Sequence, residues 1–314
     1  MFQSASPDGA AGLVAGIDIG GTKIDVALAG PDGAIVARRR LPTAANDGAV
    51  AAVHRVAAAA AEMRDEHAAG AELDAVGLVC PGVVREDRVL LAPNLPGWDD
   101  TDLVAAFGEA LGGTRLSAAN DVRAGALAEA RMGALRGSPA GVYVNVGTGL
   151  AAALVVDGKV VEGAHQAAGE IGFTRPAGTL GAWSGTEHAH LEEAVSGAAL
   201  AIRAGNVLGE EIDAAELFRR TDPVARHLVH GALGALGTAL VNLAVFVDPD
   251  RIVLGGGLAA SADVVVPVLQ AHLRSGVPFP PDVVLGAFPA GASLQGAVVL
   301  AVDMLAGARA GAAA

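Results

Sequence analysis

The sequence predicts an α/β fold built twice, and three observations carry that expectation. LVAGIDIGGTKIDVALAG (13–30) reads as a strand, a glycine-rich turn and a second strand. GVYVNVGTGLAAALVVDGKVVEG (141–163) repeats the theme as strand, Gly-Thr-Gly turn, strand, Asp-Gly turn, strand. Helical stretches follow each of them, so the halves look like duplicates of one β-β-β-α unit.

Taken in order, residues 1–12 read as a disordered leader, and MFQSASPDGAAG lacks the basic and apolar regions of a signal peptide. After the first two strands, PDG at 31–33 signals a turn, and 34–42 alternates like a third strand. The Ala-rich segment 47–69 has helical spacing and ends at Gly70. AVGLVCPG (75–82) is a short apolar run, as expected of a buried parallel strand that delivers a loop to a cleft. A helix is expected over 100–111. LSAAN (116–120) leads into a further helix opened by Asp121. Residues 164–197 show little regular pattern, helices dominate 198–247, and RIVLGGGL (251–258) is a strand running into three glycines. From about 293 the tail is helical, with one apolar face in LQGAVVLAVDML. No long Ser/Pro linker divides the chain, so two domains sharing a cleft are expected. The smaller comprises 1–119 with the C-terminal helix of about 293–314, and the larger 120–292.

Composition narrows the function. Of 314 residues 52% are hydrophobic and 18% charged, enough for a sizeable core; aromatics are only 3%, so Ala, Val and Leu must fill it. A formal net charge of −13 repels nucleic-acid backbones and argues against a nucleic-acid partner. The single cysteine, Cys80, excludes an internal disulfide or a Cys-rich metal site and fits a reducing cytoplasm. No 18-residue apolar stretch free of Gly and polar breaks suggests a membrane span.

Asp18, Gly20, Gly21, Thr22 and Lys23 lie in GIDIGGTKI. Glycines between strands let backbone amides approach an anion, a Thr hydroxyl adds a donor, and a carboxylate nearby can hold Mg²⁺. A plain hairpin turn would give the same pattern. This is not a P-loop, because the glycines lead to a strand and the GK[ST] order is missing. Gly147, Thr148 and Gly149 repeat the chemistry in the second half, and Gly255, Gly256 and Gly257 could let an adenosine lie against backbone. Together they describe two phosphate clamps and a shelf for ATP. Asn120 and Asp121 at a strand-to-helix junction can be ordinary helix caps, or can place a carboxylate to accept the proton of an attacking hydroxyl. Phosphoryl transfer needs little more than such a base and phosphate clamps. Glu170 and Glu192 are candidate acceptors for sugar hydroxyls, although surface Glu residues are common. No G-x-S-x-G or H-E-x-x-H is present, and Cys80 sits in an apolar run that favours burial over reactivity.

From about residue 13 to the C-terminus the chain resembles the ROK family, which includes bacterial glucokinases, fructokinases and N-acetylhexosamine kinases as well as repressors. GIDIGGTKIDVAL, GLVCPGVV, LAPNLPGW, AANDVRAGALAEA, GTGLAAALVVDGKVVEGAHQAAGEIG, HLEEAVSG and RIVLGGGL carry the likeness in order and spacing. The resemblance implies an actin-like, ribonuclease-H-like duplicated fold, ATP and Mg²⁺ as cofactors, and a homodimer. It implies that Asp121 is the catalytic base, that Asn94, Asn120, Glu170 and Glu192 contact sugar with Gly82 beside them, and that the glycine turns take the phosphate and adenosine roles. Two departures stand out. Phe173 occupies the place of a His that binds zinc and touches the sugar in the family, and TLGAWSGTEHAHLEE replaces the Cys-rich zinc motif. Three of four ligands then lack a substitute, although His165, His188 and His190 lie nearby, so no structural zinc is expected. Phe173 and Trp183 are expected to hold that loop by packing instead. The expected activity is transfer of the ATP γ-phosphoryl group to a hexose or amino-hexose hydroxyl, most often the 6-hydroxyl. A helix-turn-helix repressor is disfavoured because only about a dozen residues precede the first glycine motif, and intact Asp121 argues against a pseudokinase.

Overall fold

The computed structural model describes residues 12–85, 88–92, 94–98, 101–175 and 190–312. The expected leader, apart from Gly12, lies outside the described residues, as do His188 and Trp183. The chain divides into two compact units, 1–125 with 293–314, and 126–292.

The first unit holds a five-stranded sheet in the order β3-β2-β1-β4-β7, formed by β1 (Leu13–Ile19), β2 (Lys23–Ala29), β3 (Ile35–Pro42), β4 (Leu73–Cys80) and β7 (Arg115–Asn120). Strands β1, β2 and β3 form an antiparallel meander, because two-to-five-residue turns can only join antiparallel neighbours; β1, β4 and β7 run parallel. The meander alternates faces. Ile17, Ile24 and Val26 pack with Ala52, Val53, Val56 and Met63 of helix α1 (Ala49–His67), and with Phe107 of α2 (Leu103–Ala110). On the other face Val14, Ala27 and Ala75 meet Leu294, Val298 and Ala301 of α9 (Ala292–Ala312). That helix lies very close to the sheet, since a Cβ on Gly77 would stand 1.8 Å from the Ala297 carbonyl oxygen. Only glycine admits such an approach. A small hairpin of β5 (Val83–Val84) and β6 (Val89–Leu90) follows β4 and has no counterpart in the sequence reading.

The division between units falls inside α3 (Asp121–Met132), after Gly125, where the sequence reading put it at 119/120. The first turn of α3 belongs with α9, because Gly296 sits directly on the Ala124 carbonyl.

The second unit repeats the sheet. β8 (Ala140–Val146), β9 (Leu150–Val156) and β10 (Lys159–Val160) form the meander, and β11 (Arg251–Gly255) and β12 (Asp282–Leu285) run parallel to β8, in the order β10-β9-β8-β11-β12. Both sheets therefore share one strand order, as the duplication requires. Helices α4 (Leu191–Val195), α5 (Gly197–Leu208), α6 (Ala214–Arg219), α7 (Pro223–Val247) and α8 (Ala262–Gly276) cover it. By length and hydropathy α7 could cross a membrane, yet Val229, Leu233, Leu236 and Leu240 are buried in the core of this unit. Helix α8 and strand β12 were not expected from the sequence.

Candidate active site

In the first unit the parallel strands end together, at the edge where open α/β sheets bind ligands. Asp18 stands one residue from the end of β1, Gly82 just after β4, and Asn120 and Asp121 at the end of β7. Asp18 is directly opposite Asp25 in the β1–β2 register, and on the same face. Asp25 is buried and matched by cations: Arg40 grips it through Nε and Nη2 at 2.9 and 3.0 Å, and Arg38 stands at 3.5 Å. Burial raises the Asp25 carboxyl, but these arginines outweigh it and hold the group below its usual range.

Asp18 is treated differently. Burial pushes its carboxyl up to about 6, opposed by a hydrogen bond from Ser293 Oγ at the start of α9, and the charges of Asp121 and Asp25 push the same way as burial. Asp121 is also raised, chiefly by burial, against the pull of backbone amides; the Val122 amide donates to its Oδ1 at 3.0 Å. Two partly desolvated carboxylates that feel each other's charge make an electrostatically costly cluster, of the sort found where protons or cations are handled. Cys80 lies beside them, but burial and both carboxylates push its thiol up to about 12, so it stays neutral and is no nucleophile.

Asn120 is buried and caps α3, its Oδ1 accepting the Arg123 amide at 2.8 Å. The cap reading thus holds for Asn120. The Gly20–Gly21–Thr22–Lys23 turn closes with the Gly20 amide on the Lys23 carbonyl at 2.9 Å, leaving Thr22 and Lys23 exposed. Asn94 packs on this turn, since a Cβ on Gly21 would lie 2.9 Å from the Asn94 Cβ. Gly82 takes φ +88° and abuts the Leu90 carbonyl of β6. Thr43 was missed. Fully buried, it donates through Oγ1 to the Gly20 carbonyl at 2.5 Å and through its amide to the Thr22 carbonyl at 3.0 Å.

In the second unit a pocket of about 430 Å³ opens beside the β8–β9 turn. Gly147 and Thr148 line it, with the start of α5 at Gly197, Asp213 and Phe218 on the α6 side, and Gly257 after β11. The lining is otherwise largely Ala, Leu and Val, and Asp213 is its one charged residue. Gly255 and Gly256 do not line it. A Cβ on Gly255 would strike the Tyr143 ring, and Gly256, at φ +78°, lies against the Val146 carbonyl, so both serve packing. Gly149 faces Glu192, whose Oε2 accepts the Leu150 amide at 2.7 Å and fixes the end of the turn.

Glu170 begins the 3₁₀ turn Ile171–Phe173, and Gly172 of that turn lies against Glu192, so the two Glu-bearing segments are brought together. The strand-side end of this segment is fixed by Gly169, at φ +92°, where a Cβ would meet the Ala152 carbonyl at 1.9 Å. Phe173 is 55% exposed, and among the described residues its ring meets that of His190 edge to face, at 5.4 Å between centroids; Trp183, its expected packing partner, lies outside the described residues. The turn is short and Gly172, not Phe173, is its buried residue. His190 Nδ1 lies 3.2 Å from the Phe173 carbonyl oxygen, and the Leu191 amide bonds Thr174 at 2.7 Å. His165 is exposed, and no group of three metal-ligating side chains occurs among the described residues.

The ROK family model matches residues 14–304. An N-acetylgalactosamine kinase of Shewanella sp. (strain ANA-3) is 30% identical over 93% of this chain and 97% of its own length. A kanosamine kinase of Amycolatopsis mediterranei is 31% identical over 93% and 97%. Among solved structures, a ROK hexokinase from Thermus thermophilus superposes with a TM-score of 0.80 at 30% identity, covering 93% of this chain and 99% of that one. A ROK glucokinase from Streptomyces griseus, in complex with glucose and AMPPNP, gives 0.75 at 28%, covering 92% and 99%. The two like-ordered sheets are those of the actin-like ATPase fold, and the chain belongs to the ROK family.

Proposed function

We propose that this protein is an ATP-dependent sugar kinase that phosphorylates the 6-hydroxyl of a hexose or amino-hexose. The observation that carries the reading is Asp121: a half-buried carboxylate whose pKa desolvation raises, held by amides at the C-terminal edge of a parallel sheet, beside a second raised carboxylate. Raising a carboxylate towards neutrality improves it as a proton acceptor at working pH.

In this mechanism the sugar oxygen attacks the γ-phosphorus of ATP as its proton passes to Asp121. The new O–P bond forms, the β,γ-bridging bond breaks, and ADP leaves. The pocket beside Gly147, Thr148 and Gly257 takes the nucleoside, and its apolar lining suits a base and ribose. Gly20 closes the turn on the Lys23 carbonyl, and Gly21, Thr22 and Lys23 present amides, a hydroxyl and an ammonium to phosphate. Asp18 fits Mg²⁺, since a desolvated carboxylate crowded by two others gains most from a hard cation. Bound there, Mg²⁺ would neutralise phosphate charge. Asn94, Gly82, Glu170 and the remaining oxygen of Glu192 serve the sugar, with Asn120 positioning the base through its cap.

The relatives act on N-acetylgalactosamine, kanosamine, glucose and N-acetylmannosamine, which supports a hexose or amino-hexose acceptor. An ADP-release assay across these sugars, with the product's phosphate position read by NMR, tests the reading. Saturable ADP release with a 6-phosphate product is expected for at least one sugar; ADP release with none of them would sink it.

A further inference from the structure

The Gly20–Thr22 turn is not self-supporting. Its only internal hydrogen bond in the backbone is from the Gly20 amide to the Lys23 carbonyl. Two of its carbonyls, those of Gly20 and Thr22, point instead at one residue beyond the end of β3. Thr43 donates to both, through its hydroxyl and its amide. A trans peptide sets its C=O and N–H in opposite directions, so anchoring the Gly20 carbonyl on Thr43 turns the Gly21 amide away from Thr43. The hydroxyl therefore fixes which way a glycine peptide faces, in a segment where glycine would otherwise let it flip.

Thr43 is itself held from behind. Arg55 of α1 donates through Nη2 to the Thr43 carbonyl at 2.6 Å, and its Nη1 lies 3.6 Å from Asp47. A residue that is 0% exposed, with its hydroxyl, amide and carbonyl all engaged around one turn, is more than strand filler.

We propose that Thr43 is a positioning residue for phosphoryl transfer: its hydroxyl orients the Gly20–Gly21 peptide so that the Gly21 amide meets a phosphate of the nucleotide. Arg55 backs Thr43 from α1. This rests on the kinase reading of the site and goes beyond it by assigning a role to a residue outside the glycine motif.

The test compares Thr43→Val, Thr43→Ser and Arg55→Gln with the wild-type enzyme. Valine keeps the shape and removes the donor; serine restores it. Thr43→Val should raise the KM for ATP about tenfold, the worth of one ~1.4 kcal/mol hydrogen bond to a charged group, while the sugar KM stays within about twofold. Thr43→Ser should return the ATP KM to near wild type, and Arg55→Gln should shift it in the same direction as valine but less. A merely structural role would lower thermal stability and move both KM values together, or neither. If Thr43→Val does not fold, Arg55→Gln decides, and an unchanged ATP KM there overturns the proposal. Calorimetry with ADP separates the two layers. A wild-type protein that binds ADP and turns over while Thr43→Val matches it in both overturns the role of Thr43 alone. A wild type that neither binds ADP nor transfers phosphate overturns the kinase reading, and this inference with it.

Discussion

Replacing Asp18 with Asn should make the ligand-free protein more stable while removing its activity. The carboxyl moves from its ordinary value of 3.8 to about 6 on folding. Between those values the folded state holds the proton that the unfolded chain has released, so stability falls as pH rises through that window. Above it the penalty is complete, and a shift of roughly two units corresponds to about 3 kcal/mol. The Asn amide removes the charge but keeps an oxygen to accept the Ser293 hydroxyl, so the packing at the start of α9 survives. Urea unfolding at pH 7.5 should therefore show Asp18→Asn more stable by about 2–3 kcal/mol. At pH 4 the folded carboxyl is protonated and the unfolded one, close to its ordinary value of 3.8, has only partly lost its proton, so the gain should shrink below about 1 kcal/mol. The same substitution deletes the carboxylate assigned to Mg²⁺, so turnover should fall to background. Equal stability of the two proteins at pH 7.5, or a gain undiminished at pH 4, would refute the assignment of Asp18 as a carboxylate destabilised by burial.

Asp121→Asn should lower kcat by about 10²–10⁴-fold with sugar affinity largely kept, as measured by steady-state kinetics and sugar titration; near-normal turnover would exclude it as the base. Because burial raises the carboxyls of both Asp121 and Asp18, wild-type kcat/KM should fall on acidification at a pH above the ordinary carboxylate range. Gly169→Ala should cost at least about 2 kcal/mol in chemical denaturation, since the new Cβ meets the Ala152 carbonyl at a backbone angle that alanine resists; a neutral effect would disprove that contact. Metal analysis after chelation and dialysis should find no stoichiometric zinc, and one tightly held zinc whose removal abolishes activity would show that histidines had rebuilt the family site.

What was legible in the sequence was local. The glycine hairpins announce themselves because turn chemistry is written in adjacent residues, and so is the Asn120–Asp121 junction, where a strand pattern changes to a helical one within two positions. Thr43 and Ser293 were not legible, because their partners lie 23 and 275 residues away and neither stands in a motif. Glu129 is a similar case. On α3 it looks like any helical Glu, yet it is fully buried and its carboxylate accepts the amides of Ala134 at 2.7 Å and Phe288 at 3.2 Å. Helix α8 hid behind a β-branched run, Val264 to Val266, that ends in Pro267, a pattern that argues against helix until tertiary packing of Val265, Leu269 and Leu273 overrides it. Phe173 is a different case: an aromatic in place of a metal ligand suggests packing, yet the 3₁₀ turn leaves its ring 55% exposed, and the expected partner Trp183 lies outside the described residues.

The duplication also explains why two equivalent turns are not interchangeable. Both follow the first strand of a like-ordered sheet, yet each is braced by different chemistry. In the first unit the brace is a hydroxyl donor, Thr43, acting on turn carbonyls, and the neighbouring strand ends carry carboxylates. In the second the brace is an acceptor, Glu192 Oε2, acting on the Leu150 amide, while the Gly197 amide at the start of α5 bonds the Gly147 carbonyl at 2.8 Å. Next to that turn lies a pocket with small apolar walls. Desolvated carboxylates repel a polyphosphate unless a cation intervenes, whereas an apolar pocket gains from a base and ribose without one. On the proposed reading the strand-end acids of the first unit serve the proton and the metal and the pocket of the second takes the nucleoside, so each turn is braced for a different demand.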